Sequence, residues 1–261
     1  MWSLFSCAII CMKGGIRMRK WLLSTLTILV LTLTACTSSA NTPPPKEDPK
    51  KQEVEEKPMT NDNELNQDLL QAIATQNIPE IKNLLEQGAK VDVVNNKGES
   101  GLLIATHHNN IEMAQLFLDH GANVNLQDHI QDSPFLYAGA EGRTEILKRM
   151  LSHNPDYTLT NRYGGTALIP AAEKGHLANV ELLLKETTID VNHINKPGWT
   201  ALLEAIVLSN GGKTQQQIVQ ALLEDGADPN IADANGVTPL AHAKQHGYKT
   251  IADLLISHGA K

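Results

Sequence analysis

Asn96-Lys97-Gly98-Glu99-Ser100-Gly101-Leu102-Leu103-Ile104-Ala105 opens a phrase that closes as Leu116-Phe117-Leu118-Asp119-His120-Gly121-Ala122-Asn123-Val124-Asn125. The opening returns as Thr166-Ala167-Leu168, Thr200-Ala201-Leu202 and Thr238-Pro239-Leu240. The close returns as Leu222-Leu223-Glu224-Asp225-Gly226-Ala227-Asp228-Pro229-Asn230. Ser100, Ser133, Thr166, Thr200 and Thr238 stand at successive intervals of 33, 33, 34 and 38 residues. Within a unit the apolar residues keep helical spacing, as Ile111, Ala114, Leu116 and Leu118 do. So short a unit buries its apolar face only by stacking on its neighbours.

The period, the Thr/Ser-x-Leu opening and the Gly-Ala close resemble the ankyrin repeat family across roughly residues 64–261. The resemblance implies an all-α repeat solenoid of about six units including caps. Each unit is a helix-turn-helix pair with a β-hairpin finger. The first unit, with helices around 68–73 and 81–85, has Pro79 in a first helical turn and Gly88 at a helix end. No finger precedes it, and Asn63, Glu64, Asn66, Gln67 and Asp68 are expected outward, as a terminal cap requires. Five further units span 96–128, 129–161, 162–195, 196–233 and 234–261, with Lys249, Asp253, Ser257 and His258 expected outward on the last.

The departures from the family pattern are specific. The His of its T-P-L-H opening is replaced by Leu103, Leu136, Ile169, Leu203 and Ala241, so a polar tie between repeats is expected to be lost. The Ser or Thr that can cap each first helix is retained. In the third repeat Gln131 replaces a finger Gly and Asn154-Pro155 replaces Gly-Ala; Asn tolerates the left-handed turn. The fourth repeat leaves through Glu186-Thr187-Thr188-Ile189-Asp190 without Gly, so its second helix should end differently. The fifth carries five extra residues, expected within 209–214 between its helices. That insertion is similar to the enlarged fifth-repeat loop of bacterial exported ankyrin proteins.

Residues 1–35 hold Lys13, Arg17, Arg19 and Lys20 and no acid, then an apolar run from Trp21 to Leu33. Basic, apolar, then small residues is the grammar of an export signal, with translation expected to start at Met18 or Met12, or else with an unusually long basic region ahead of the apolar run. The run is short for a membrane span. Leu33-Thr34-Ala35-Cys36 resembles the lipobox of bacterial lipoproteins, which implies that the Cys36 sulfur carries a diacylglyceryl group and becomes the first mature residue. No Cys follows, so the mature chain can form no internal disulfide. Residues 36–62, with Pro43-Pro44-Pro45 and a Lys/Glu/Pro mixture, read as a disordered tether with a reach of roughly 80 Å when extended; residues 63–261 are the repeat domain. The expected location is the bacterial cell envelope, at the outer face of the cytoplasmic membrane or at an outer membrane.

The net charge of -7, reached despite a basic N-terminus and so carried by the rest of the chain, argues against nucleic-acid partners. The family resemblance implies binding through a concave face of finger tips and first helices. Carried over by register, its contact positions are Lys97, Glu99, His107, His108, Ile130, Asp132, Glu141, Arg162, Tyr163, Lys174, Lys196, Trp199 and Val237, with His129, Ala140, Glu173, Pro197, Val207, Leu208, Asn235, Gln245 and His246 beside them. Tyr163 and Trp199 stand out where aromatics are 4% of residues, because aromatic anchors carry much of an interface. No metal site is expected, since no Cys or His-x3-His spacing supports one. His120, His153 and His258 share one repeat position and read as a surface ladder. Gly211-Gly212-Lys213-Thr214 lacks the strand and first Gly of a phosphate loop. No catalytic constellation or cofactor is indicated, so the chain is expected not to be an enzyme. The expected function is a lipid-anchored scaffold for an envelope or secreted protein, with an inhibitor or immunity protein that blocks a toxin or enzyme as the alternative.

Overall fold

The computed structural model describes residues 61–261; the export signal, Cys36 and the tether through residue 60 lie outside the described residues. Twelve helices are described, two per repeat: α1 (Asn61–Ala74) with α2 (Ile78–Glu86), α3 (Gly101–His107) with α4 (Ile111–Asp119), α5 (Pro134–Ala140) with α6 (Thr144–Met150), α7 (Leu168–Glu173) with α8 (Leu177–Glu186), α9 (Ala201–Val207) with α10 (Lys213–Glu224), and α11 (Pro239–Gln245) with α12 (Lys249–Ser257). Odd-numbered helices pack on odd and even on even, so the first and second helices form two layers. The core lies between them and runs from Leu69 through Phe117, Phe135, Leu183 and Leu222 to Leu255. One packing detail explains a sequence choice. The Phe117 ring fills the place of a Cβ on Gly101, which would lie 2.2 Å from it. Met150, Leu183, Leu222 and Leu255 hold the Phe117 register position elsewhere, and there Pro134, Ala167, Ala201 and Pro239 replace Gly101.

Helix ends follow from side-chain chemistry. Ser100, Ser133, Thr200 and Thr238 cap α3, α5, α9 and α11 by accepting the third following backbone N–H. Thr166 departs from the expected series: α7 begins only at Leu168, and the buried Thr166 Oγ1 has no partner. The cause is Pro170. The carbonyls of Ser100, Ser133, Thr200 and Thr238 each accept a helical N–H four residues on, and proline has none to give. Asn154 and Gln131 both hold positive φ, at 52° and 63°; the other fingers use Gly at the Gln131 position, and all other repeats but the fourth use Gly at the Asn154 position. The fourth repeat does end differently. Thr187 is extended rather than left-handed, and its hydroxyl donates to the Leu183 carbonyl.

The insertion in the fifth repeat is only partly loop. Lys213 and Thr214 belong to α10, which at 12 residues is the longest second helix, leaving 208–212 as the connection. Gly211 adopts φ +64° there, and the Tyr248 ring lies 2.5 Å from where its Cβ would be. The Tyr248 hydroxyl donates to the Ser209 carbonyl at 2.7 Å. The sixth repeat therefore holds the loop against itself.

Polar ties between repeats persist despite the missing family His. Outside the second helices, Asp92, Asn125, Asn192 and Asn230 each accept a backbone N–H from the next repeat, those of Asn123, Asp156, Asp228 and Lys261. Thr158 occupies this position in the third repeat and bonds to its own Asp156 instead, so this tie is absent between repeats three and four among the described residues. A different device joins them. Asn179 is fully buried; its Nδ2 donates to the Ala138 and Gly139 carbonyls at 2.9 and 3.0 Å, and its Oδ1 accepts from Thr144 Oγ1 at 2.6 Å. Met113, Ile146, Ile218 and Ile251 hold this position in the other repeats. Replacing Asn179 by Ala leaves the Gly139 carbonyl without its partner, while the Ala138 carbonyl keeps the Arg143 N–H; an unsatisfied buried group costs about 1–3 kcal/mol. The variant is expected to lose about 1–3 kcal/mol of stability in urea unfolding, whereas Glu181→Ala on the exposed face of the same helix should change it by less than about 0.5 kcal/mol.

Candidate protein-binding surface

The fingers are turns rather than strands. The only β-bridge among the described residues is the isolated pair Val94 and Ser100. Each finger is closed from within by an Asx side chain that the sequence reading did not single out. Asn95 Oδ1 accepts the N–H groups of Lys97 and Glu99, Asp128 those of Ile130 and Asp132, Asn161 those of Tyr163 and Gly165, and Asp233 those of Asn235 and Val237. In the fifth repeat Pro197 has no N–H, and Asn195 Oδ1 takes only that of Trp199. Short polar side chains that bond two residues ahead favour such turns. Neighbouring tips are joined where His129 N–H donates to the Lys97 carbonyl and Lys196 N–H to that of Tyr163, both at 3.0 Å.

The tips of repeats three and four expose apolar residues side by side: Ile130 and Tyr163 are each 54% exposed. The Arg162 guanidinium lies 4.8 Å from the centre of the Tyr163 ring and 3.4 Å from Asp132. Lys196 reaches back to the Arg162 carbonyl at 2.9 Å, and Pro197 is exposed at the fifth tip. Of the other predicted contact residues, Lys97 and His108 are exposed, while Val237 and Trp199 are half-buried on their fingers. His107 and Glu99 are drawn together at 3.8 Å, and the His107 ring meets that of Tyr137 at 4.2 Å. Burial outweighs Glu99 and Asp132 there, so His107 titrates below its ordinary range and its buried Nε2 lacks a partner. Glu141 and Lys174 form an ion pair across repeats three and four.

Glu204 is the functional-surface residue that the sequence reading missed. It lies on α9 at a position held elsewhere by Ile104, Tyr137, Pro170 and His242, and it is 7% exposed. Asn195 Nδ2 donates to its Oε1 at 2.7 Å. Burial, then the neighbouring Glu173, push its carboxyl up to about 7. Glu173 itself is raised, first by burial. The sixth repeat builds the same finger-to-helix contact with donor and acceptor exchanged: His242 Nε2–H donates to Asp233 Oδ2 at 3.0 Å.

Three other histidines are local devices, whereas His193 reaches across to the Gly164 carbonyl at 2.7 Å. His120, His153 and His258 bond through Nδ1 to the carbonyls of Leu116, Arg149 and Leu254, four residues back. A carbonyl only accepts, so each ring donates and helps close its own helix; the shared position is a series of helix caps, not a stacked ladder. Among the described residues no group of three His, Cys, Asp or Glu side chains converges on a metal position, and no helix is long and apolar enough to cross a membrane. An open cleft of about 730 Å³ runs beside the inserted loop, between Lys174 and Lys213.

A family model described as ankyrin repeats (3 copies) matches residues 69–161, 135–233 and 190–261. The putative ankyrin repeat protein YahD of Escherichia coli (strain K12) is 57% identical over 99 residues, 38% of this chain and 49% of that protein; the match thus spans about half of that relative's length. Among solved structures, an ankyrin repeat domain (ABAYE2397) from Acinetobacter baumannii AYE is 51% identical with a TM-score of 0.72, over 74% of this chain and 98% of that one. EF0377, an ankyrin repeat protein, is 46% identical with a TM-score of 0.72, over 75% and 98%.

The raised carboxyl has a measurable consequence. Unfolded, Glu204 titrates near 4.5; folded, near 7. Between these values the folded chain keeps a proton that the unfolded chain has lost, so stability from this group is full below 4.5 and declines as pH rises to about 7. Glu204→Gln keeps the acceptor for Asn195 and removes the decline. The variant is expected to exceed the parent by about 1–3 kcal/mol in urea unfolding at alkaline pH and to match it in acid below the unfolded carboxyl range.

Proposed function

Because the chain belongs to the ankyrin repeat family, whose members in general bind other proteins, we propose that it is a lipid-anchored, extracytoplasmic scaffold that grips another protein of the bacterial envelope or its secreted surroundings. The grip is the concave face of fingers and first helices, centred on repeats three to five, and the protein acts by binding rather than by catalysis. The observation that carries this reading is the pair of adjoining tips at Ile130 and Tyr163, each left 54% exposed beside the cations Arg162 and Lys196. A large aromatic on a rigid turn, with a guanidinium over it, is the composition of an interface anchor. The basic-apolar-small N-terminus ending in Leu33-Thr34-Ala35-Cys36 supports the anchor, and two acyl chains suffice for stable attachment where one does not. The Pro/Lys/Glu segment after Cys36 supports a spacer that lifts the repeats from the bilayer.

Two experiments test the halves of this reading separately. Cys36→Ser should move the protein from the membrane fraction to the soluble one; retention in membranes shows that the lipid is not the anchor. A photoreactive residue at 163 or 199 should form a discrete adduct with one envelope protein in cells, and the same residue at Glu181 on the second-helix layer should not. Tyr163→Ala with Trp199→Ala should weaken capture of that protein by about tenfold or more without shifting the urea midpoint. Adducts only at position 181 place the interface on the other layer.

A further inference from the structure

Repeats three to five carry four charged groups on their first helices: Glu141, Glu173, Lys174 and Glu204. Two of them satisfy each other, since Lys174 pairs with Glu141. Among the described residues neither Glu173 nor Glu204 forms an ion pair, although Lys174 favours the charged form of Glu173 from a distance. Glu204 is more than nine-tenths buried, and its Oε1 is used by Asn195. Its Oε2 has no hydrogen-bond partner among the described residues and is not completely enclosed. A carboxylate in this position is held at a cost that burial and Glu173 both impose. Its neighbours along α9, Leu202, Leu203, Ala205 and Ile206, are all nearly inaccessible, and the second repeat places Ile104 at its position.

We propose that Glu204 and Glu173 form the receptor for one arginine or lysine side chain of the bound protein. The inference rests on the concave-face reading above and names the chemistry that this face selects. Charge complementarity commits it to a cationic occupant: one guanidinium or ammonium supplies the donor that Oε2 lacks and relieves the repulsion between the two acids. Asn195 fixes the geometry, because one amide holds both walls, its Nδ2 on Glu204 and its Oδ1 on the Trp199 N–H at 2.8 Å. The cation therefore docks next to the fifth finger, while Tyr163 and Ile130 take apolar contacts on the adjoining tips. The excess of acids in the whole chain steers the same kind of partner.

The test uses the full chain and two capped pentapeptides, Gly-Gly-Arg-Gly-Gly and its neutral citrulline twin, titrated at low salt and alkaline pH while backbone amide signals are followed by NMR. The arginine peptide should bind at least about tenfold more tightly than the citrulline peptide and shift the signals of Trp199 and Glu204. Glu173→Gln with Glu204→Gln should abolish that preference, and Glu145→Gln with Glu181→Gln, two exposed acids of the second helices, should preserve it. Equal binding of the two peptides overturns the proposal. So does equal loss from both double variants, which reports net charge alone. Either failure leaves the concave face standing as an interface, since that is decided by the adducts at positions 163 and 199.

Discussion

No repeat of this chain has a core of its own, and every other feature follows from that. A pair of short helices exposes one apolar face, and only the next pair covers it. Burial supplies most of the adhesion between units, but it is non-directional and does not set the angle at which one unit meets the next. Direction comes from polar ties at fixed points: the Asp92, Asn125, Asn192 and Asn230 side chains outside the second helices, and the tip-to-tip bonds of His129 and Lys196. Such bonds need a donor and an acceptor at set separation. They position the fingers, and hence the binding face, more narrowly than packing alone.

The junction between repeats three and four shows what happens when a tie is missing. Thr158 turns inward to Asp156, Thr187 replaces the usual Gly exit, and Pro170 takes away the first bond of α7. Three irregularities meet at one interface. Asn179 compensates by spending a core position on hydrogen bonds to the end of α5. Gly139 lets α7 come close, since a Cβ there would lie 2.8 Å from that of Ala167. Arg162 with Asp132 and Lys174 with Glu141 add pairs across the same junction. The exposed face is thus richest in charge where the stack is least regular.

How much of this the sequence discloses depends on whether a feature repeats. The period, the cap Ser and Thr residues and the Gly turns recur in register, and they suffice to read the helix pairs from residue 64 onward. Asn154 was legible because one residue type replaces Gly for a known reason. The clamp between finger and first helix was not. It joins residues nine apart, Asn195 to Glu204 and Asp233 to His242, and it exchanges donor for acceptor between the two repeats, so no single residue pattern marks it. The same holds for Asn179 and Glu204. Each breaks an apolar series at one repeat only, and a lone polar residue in a Leu- and Ala-rich helix carries no sign of whether it is buried, bonded or facing outward.

A solenoid pays little for one imperfect repeat when its neighbours hold it on both sides, and this makes the fifth repeat a permissive place for a costly acid. Glu204 sits between α7 and α11, which both pack on α9, with the inserted loop beyond it pinned by Tyr248. Replacing it by an apolar residue would suit the core better and would leave Asn195 Nδ2 without its acceptor. Retaining the acid keeps a defined acceptor on the face, beside the Arg162–Asp132 and Lys174–Glu141 pairs. A charge that the stack itself does not compensate is the one most readily compensated from outside, which is why Glu204 and Asn195, beside the aromatic residues at the rim, enter the proposed selectivity of this face.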